Sequence, residues 1–297
     1  MLDRPHEPPA SSMNRALYLH IGHHRTGTTY LQKHVFPKLR GLTYFFKGEK
    51  PEAQRITNAF LLSPAIWRAC GERLVAPFAR LNSSVLLSRE NMSSHRMFAR
   101  PGVSRRRDPF LLAAHLRECR RVAERFGLAL KVILGIRRQD QYFGSRYAAH
   151  GRFASKPSQS DFERQVKEII DPEQRYFLDG IWLDYAATRD LIADEIGEEA
   201  LLILPLEQLD SDRSRYLASL SAFLQTDVPH EIDEVPANVR AVGEDSWLLT
   251  TNVNGRRTDA GTITLSDSLR DEILVAYRDS NRRLTEATGI DFASYYR

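Results

Sequence analysis

From residue 16 onward, short apolar runs alternate with longer stretches in which apolar side chains recur every three or four positions. ALYLHI (16–21) and SSVLLS (83–88) are β-prone runs of the kind buried within a sheet. ALKVILGIRR (129–138) is the clearest strand, β-branched and apolar until it enters a polar turn, and ALLILPLE (200–207) is a fourth. Between the strands lie helices. TTYLQKHVFPKL (28–39) has helical spacing as far as Pro37. DPFLLAAHLRECRRVAERFG (108–127) reads as a long amphipathic helix, with Asp108 as its cap, Pro109 in the first turn and Gly127 just past its end. Further helices are expected near 161–170, 180–196 and 213–224, and a closing one in SDSLRDEILVAYRDSNRRLTEATG (266–289), after a loop-rich region over 226–264. Strands alternating with helices predict an α/β fold whose central, mostly parallel β-sheet is flanked by helices on both faces. Ligands of such sheets bind at the carboxyl ends of the strands.

Composition narrows the class. The 297 residues are 42% hydrophobic and 27% charged, ordinary values for a globular chain, and no apolar run approaches the length of a membrane span. No internal repeat divides them, so one domain is expected over 16–297 behind a flexible tail, 1–15. That tail, MLDRPHEPPASSMNR, has prolines and acids where a signal peptide needs a basic and then an apolar stretch, so a cytoplasmic location is expected. Cys70 and Cys119 sit in helix-like stretches without partner spacing and are read as packing residues in a reducing compartment. A net charge of +4 is a mild bias toward anionic ligands, well short of a nucleic-acid signature.

Two polar stretches carry the candidate chemistry. HIGHHRTGTTYLQ (20–32) follows the first strand and opens the first helix, where a glycine-bearing loop can turn its backbone N–H groups toward an anion. Gly22 and Gly27 have the spacing of a nucleoside-triphosphate loop, but Thr28 stands where that loop requires lysine. The cation inside the loop is Arg25. His20, His23 and His24 lack a second ligand cluster, so no metal site is expected; His20 is read as a packed strand residue, His23 and His24 as loop shapers or minor phosphate donors. The second stretch, GIRRQDQYFGSRY (135–147), puts Arg137 at the end of the best strand and Ser145 two helical turns on. A strand-end guanidinium and a hydroxyl at that spacing can converge on one anion.

On these two motifs the chain resembles the sulfotransferases that use 3′-phosphoadenosine 5′-phosphosulfate (PAPS), most nearly the bacterial sulfotransferase-like proteins. WLDYAATRDLIADEIG (182–197), LEQL (206–209) and AYRDSNRRL (276–284) are also similar to text in those relatives, so the resemblance runs from Leu17 onward. It implies that Arg25, Thr26, Gly27, Thr28 and Thr29, with His24 beside them, bind the 5′-phosphosulfate, and that Arg137 and Ser145 bind the 3′-phosphate. Most relatives carry lysine where this chain has Arg25; the cation is expected near the oxygen bridging phosphate and sulfate. Relatives close a basic C-terminal loop over the 3′-phosphate, and Arg256 and Arg257 in NGRRTDAG (254–261) are candidates for that. A second basic segment, SRRRDP, begins at Ser104.

The resemblance further implies a proton acceptor just past the strand between the two motifs. VLLSRENMSSH (85–95) offers Glu90 first and His95 second. Glu90 is favoured because a carboxylate is ionised at neutral pH without help. The competing reading has Glu90 capping the next turn or pairing with Arg89. The segment 91–107 is expected to line the acceptor mouth. The implied activity is transfer of the sulfuryl group from PAPS to a hydroxyl or amine of a glycan, lipid or small molecule, releasing 3′,5′-ADP without a metal. Two alternatives stay open: a P-loop kinase or NTPase, which needs Mg²⁺ and a working lysine, and a silent nucleotide-binding protein of the same fold.

Overall fold

The computed structural model describes residues 15–46, 50–93, 97–98, 108–150, 157–229, 241–243, 245–253 and 256–296. Five strands form a wholly parallel sheet: β1 (Ala16–His20), β2 (Leu42–Phe45), β3 (Ser84–Ser88), β4 (Ala129–Ile136) and β5 (Leu201–Pro205), in the order β2-β3-β1-β4-β5. All five residues of β1 are buried, because β1 lies between β3 and β4, with Leu17 opposite both Val85 and Leu130. Successive side chains then enter different layers. Leu17, Leu19, Val132 and Leu134 join the larger core, whereas Tyr18, Leu86, Ile133 and Leu204 join the smaller one on the opposite face. Full burial of such a side chain contributes about 1.5–3 kcal/mol, so the centre of the sheet is its firmest part. β2, at the edge, is half-buried throughout.

The helices cover both faces. Helix α1 (Thr28–Tyr30) runs on into a π-helical turn, Leu31–Val35, and a 3₁₀ turn, Phe36–Lys38, that carries Pro37. Next come α2 (Pro51–Ala59), α3 (Ala65–Ala79), α4 (Pro109–Arg125), α5 (Gln139–His150), α6 (Gln159–Ile170) and α7 (Tyr185–Ile196). The chain then forms α8 (Leu206–Ser211), α9 (Arg213–Leu224) and α10 (Asp267–Thr288). Leu31 and Val35 after α1 and Leu217, Leu220 and Leu224 of α9 pack in the smaller core; residues of α2 to α7 and α10 build the larger. Asp108 caps α4 as the sequence implies, its side chain accepting from the Leu111 amide at 2.8 Å. Cys119 of α4 is fully buried in the core. No described helix is long and apolar enough to cross a membrane.

Three expectations need correction. The region 226–264 is not all loop: β6 (Ala241–Gly243), β7 (Ser246–Val253) and β8 (Arg256–Thr264) form an antiparallel three-stranded sheet. Arg256 and Arg257, expected in a closing loop, are strand residues opposite Val253 and Asn252. This second sheet packs on α5 through Trp247, whose ring lies so close to Gly144 that a Cβ there would come within 2.2 Å of it. The helix expected over 180–196 is broken by Asp184, which ends a 3₁₀ turn (Gly180–Leu183) and caps α7. The strand expected over 200–207 stops at Pro205, leaving Glu207 in the first turn of α8.

Candidate anion-binding site

Because β3, β1 and β4 are parallel neighbours, their carboxyl ends bring together the three segments that sequence singled out. The chain leaving β1 keeps its pairing with β4 for one more step, through Ile21 N–H to Ile133 O (2.9 Å) and His23 N–H to Gly135 O (3.2 Å). Close approach needs glycine at both places: a Cβ on Gly22 would sit 3.1 Å from Gly135 Cα, and one on Gly135 would sit 3.0 Å from Thr26 Oγ1. The loop then turns sharply, with Arg25 and Gly27 both left-handed (φ 71° and 77°). For Arg25 that conformation costs on the order of 1 kcal/mol, and the fold holds it. Thr26 Oγ1 closes the turn by donating to His23 O at 2.6 Å.

The two motifs, 120 residues apart, meet through Arg25, whose Nε donates to Ser145 Oγ at 2.8 Å. Arg137 Nη1 approaches the Arg25 carbonyl at 3.4 Å. Ser145 is buried beneath them. On the other side of the loop, Thr28 Oγ1 donates to Glu90 Oε1 at 2.5 Å, and His24 Nδ1 lies 3.4 Å from Glu90 Oε2. Glu90 is only 7% exposed. It does not pair with Arg89, which turns away to donate from Nη1 to Thr57 Oγ1 at 2.9 Å. It stands in the first turn of a 3₁₀ segment, Glu90–Ser93, with its two oxygens toward Thr28 and His24. Thr29 is half-buried in the first turn of α1. His95 lies outside the described residues, as does all of 91–107 but for 91–93 and 97–98, and as do the side chains of Arg256 and Arg257.

Burial sets the charges here. His23, fully buried, is pushed down to about 3 by desolvation, reinforced by His24 and Arg146, while its ring packs edge-on against Trp182 and stacks on Tyr185. His20 is lowered to about 4 by burial against the pull of Glu90, and its Nδ1 lies 2.6 Å from Ser88 Oγ. Both rings are neutral packing groups, so His24 is the histidine of this loop that faces the carboxylate. Arg137 is lowered by burial, with Glu207, Asp210 and Asp140 acting against it. The Tyr142 hydroxyl is raised to about 12 by burial although the charges of Arg146, Arg137 and Arg25 all pull it down. Among the described residues no three His, Cys, Asp or Glu side chains gather at a spacing suited to a metal.

Sequence reasoning missed Arg146 and Glu207. Arg146 is 4% exposed and feels the charges of Asp179 and Glu90. Its signal was available, since it follows Tyr142 by one helical turn and adjoins Ser145. Glu207 lies in LEQL, but its role could not be read there, because its partner is the amide of Arg138, 69 residues away, which it meets at 2.9 Å. Together Arg25, Arg137, Arg146 and Ser145 make a largely enclosed cluster of guanidinium groups and a hydroxyl with the Glu90 carboxylate next to it, suited to an anion with a proton-accepting group beside it.

No family model matches the chain, and no curated protein matches it. Among solved structures it is similar to a crystal structure of a sulfotransferase from Alicyclobacillus acidocaldarius, with a TM-score of 0.51 and 13% identity over 95% of this chain and 99% of that one. It is also matched to a crystal structure of a mouse sulfotransferase complexed with PAP, with a TM-score of 0.39 and 12% identity over 73% of this chain and 60% of the other. The α/β fold is thus shared with the bacterial sulfotransferase over nearly the whole of both chains.

Proposed function

We propose that this chain is a sulfotransferase that takes its sulfuryl group from PAPS and passes it to a hydroxyl or amine of a glycan, lipid or small molecule. The observation that carries this reading is the contact of Arg25 with Ser145, backed by Arg137 on the Arg25 carbonyl, which joins two phosphate-type motifs into one cradle. The fold shared with a bacterial sulfotransferase supports it. The donor set also fits a nucleotide with two anionic ends: Arg25 with the Thr29 hydroxyl on one side, Arg137 with Ser145 on the other, while the Thr28 proton stays on Glu90. Thr28, standing where an ATP-hydrolysing loop has its lysine, bonds Glu90 instead, which disfavours a kinase.

When bound, PAPS supplies an activated sulfuryl group whose bond to the phosphate oxygen breaks as the acceptor attacks in line. Arg25 and the amides of residues 26–29 would hold that end of the donor and would stabilise the negative charge that grows on the oxygen, an effect strongest in the transition state. Ser145 Oγ only accepts from Arg25, so its hydroxyl proton would serve the 3′-phosphate. Glu90 accepts the acceptor's proton, and Thr28 and His24 fix the direction of its two oxygens.

Incubating the chain with labelled PAPS and a panel of alcohols, glycans and amines tests the assignment. Label transfer with release of 3′,5′-ADP is expected. Tight binding without transfer to any acceptor would make it a silent binder, and a requirement for ATP and Mg²⁺ would make it a kinase.

A further inference from the structure

Glu207 lies between the ends of β4 and β5, in the first turn of α8. Its Oε1 accepts the Arg138 amide at 2.9 Å, while Oε2 is buried with no hydrogen-bond partner among the described residues. A carboxylate with one idle buried oxygen is unusual, because such an atom gives up its hydrogen bonds to water and gains none in return. Charged groups approach from every side. The exit of β4 brings Arg137 and Arg138, α5 brings Asp140, and α8 itself brings Asp210 with Arg213 beside it. The C-terminal turn brings Tyr295, which feels both Glu207 and Arg215 of α9 and whose carbonyl accepts from the Arg138 guanidinium. The Tyr185 hydroxyl of α7 donates to the Arg137 carbonyl at 2.7 Å. Residue 138 is therefore clamped at its amide by Glu207 and at its guanidinium by Asp140 (2.6 Å), and the charges of Glu207, Asp210 and Asp140 act on Arg137 beside it.

We propose that Glu207 is a positioning residue for the anion on Arg137: it fixes the Arg138 amide, and it takes up a proton from solvent when a phosphate group settles on Arg137. The inference rests on the reading of Arg137 as the 3′-phosphate ligand. Without an anion, the carboxylate offsets the buried guanidinium. An arriving phosphate supplies that negative charge itself, and two anions in one poorly solvated pocket repel each other. A proton on Oε2 removes the repulsion and leaves Oε1 on the Arg138 amide. Burial already raises the Glu207 carboxyl to about 7, so the exchange falls in an accessible range. The sign follows: an added anion raises it further, so 3′,5′-ADP binds more tightly as pH falls toward about 7 and changes little below that. The gain is at most about tenfold per pH unit for one proton.

Titration calorimetry on the full chain at pH 7.5, in two buffers of different ionisation enthalpy, reads the proton directly. Uptake is expected with 3′,5′-ADP and much less with 5′-AMP, which lacks the 3′-phosphate. Glu207→Gln keeps the amide contact and mimics the protonated acid. It should abolish the uptake and bind 3′,5′-ADP at pH 8.5 at least as tightly as the wild type, whereas Asp210→Asn should keep the uptake. Undiminished uptake in Glu207→Gln, or equal weakening at pH 7 and 8.5, would overturn the proposal. So would a wild-type affinity that is flat over that range, a measurement that needs no variant to fold. Binding of 3′,5′-ADP without uptake overturns this proposal alone; failure of 3′,5′-ADP to bind the wild type removes the donor reading and this proposal with it.

Discussion

The loops after β1 and β4 leave neighbouring strands and meet at their tips, yet they hold their cations by different means. After β1 the backbone does the holding: Arg25 and Gly27 are left-handed, Gly22 lies against Gly135, and Arg25 Nε rests on a hydroxyl. After β4 the side chains do it: Asp140 pairs with the Arg138 guanidinium, Glu207 accepts the Arg138 amide, and the charges of Glu207, Asp210 and Asp140 act on Arg137. Giving up a hydrogen bond to a neutral hydroxyl costs roughly 0.5–1.5 kcal/mol, less than parting a buried ion pair such as that of Arg138 with Asp140. The first arrangement suits charge that develops during a reaction. The second suits a charge that is merely bound.

That contrast breaks if substitutions in the two loops have the same kind of effect. The largest change is expected for Arg25→Ala, which should lower sulfuryl turnover by about 10²–10³-fold with a much smaller loss of 3′,5′-ADP affinity, by steady-state kinetics beside calorimetry. Equal losses in turnover and affinity would make Arg25 a plain anchor like Arg137. Glu90→Gln should reduce transfer by roughly 10²-fold while leaving donor binding and the melting temperature near wild type. Should it transfer normally while His95→Ala does not, the histidine is the base and the acid limb of the pH profile moves up toward about 6.5.

Arg137→Ala should weaken 3′,5′-ADP by about ten- to hundredfold and 5′-AMP hardly at all, the value of one charge-assisted contact. Equal weakening of both nucleotides would instead mean that the second loop is held together by Arg137. The smallest effect is on stability. His23 and His20 stay neutral to about 3 and 4 when folded, against 6.5 in the unfolded chain. As pH falls from 6.5 the unfolded chain binds protons that the folded chain refuses, so stability is complete above 6.5 and drops below it, by up to about 1.4 kcal/mol per unit for each ring. Glu207, raised to about 7 from 4.5, acts in the opposite sense over that window. Melting curves between pH 6.5 and 4 should therefore fall less steeply for His23→Phe than for the wild type. An unchanged slope would put the ring outside the charge balance of the first loop.

The central strands were legible because both of their faces are buried, which writes them as continuous apolar runs such as ALKVILGI. The helix at 213–224 was legible to the residue. The second sheet was not: Trp247 and Leu249 are buried, but the half-buried Leu248 between them is apolar too, and a register shift between Leu248 and Thr250 breaks the alternation. β2 hid for a related reason, being half-buried along its length at the sheet's edge. At the site, glycine spacing and the Arg137 and Ser145 pair were readable because they act through local geometry. The enclosure of Glu90 by His24 and Thr28, and the hold of Glu207 on Arg138, depend on which strands become neighbours, which no local pattern records.

The cradle for a PAPS-type donor is tested most directly by the melting temperature of the wild-type chain in EDTA. A ligand at a hundred times its dissociation constant stabilises the folded state by about 2.7 kcal/mol if it binds that state alone. 3′,5′-ADP is expected to raise the melting temperature by several degrees without any metal, and more than 5′-AMP does. No shift with 3′,5′-ADP, or a larger one with ATP and Mg²⁺, would contradict the account.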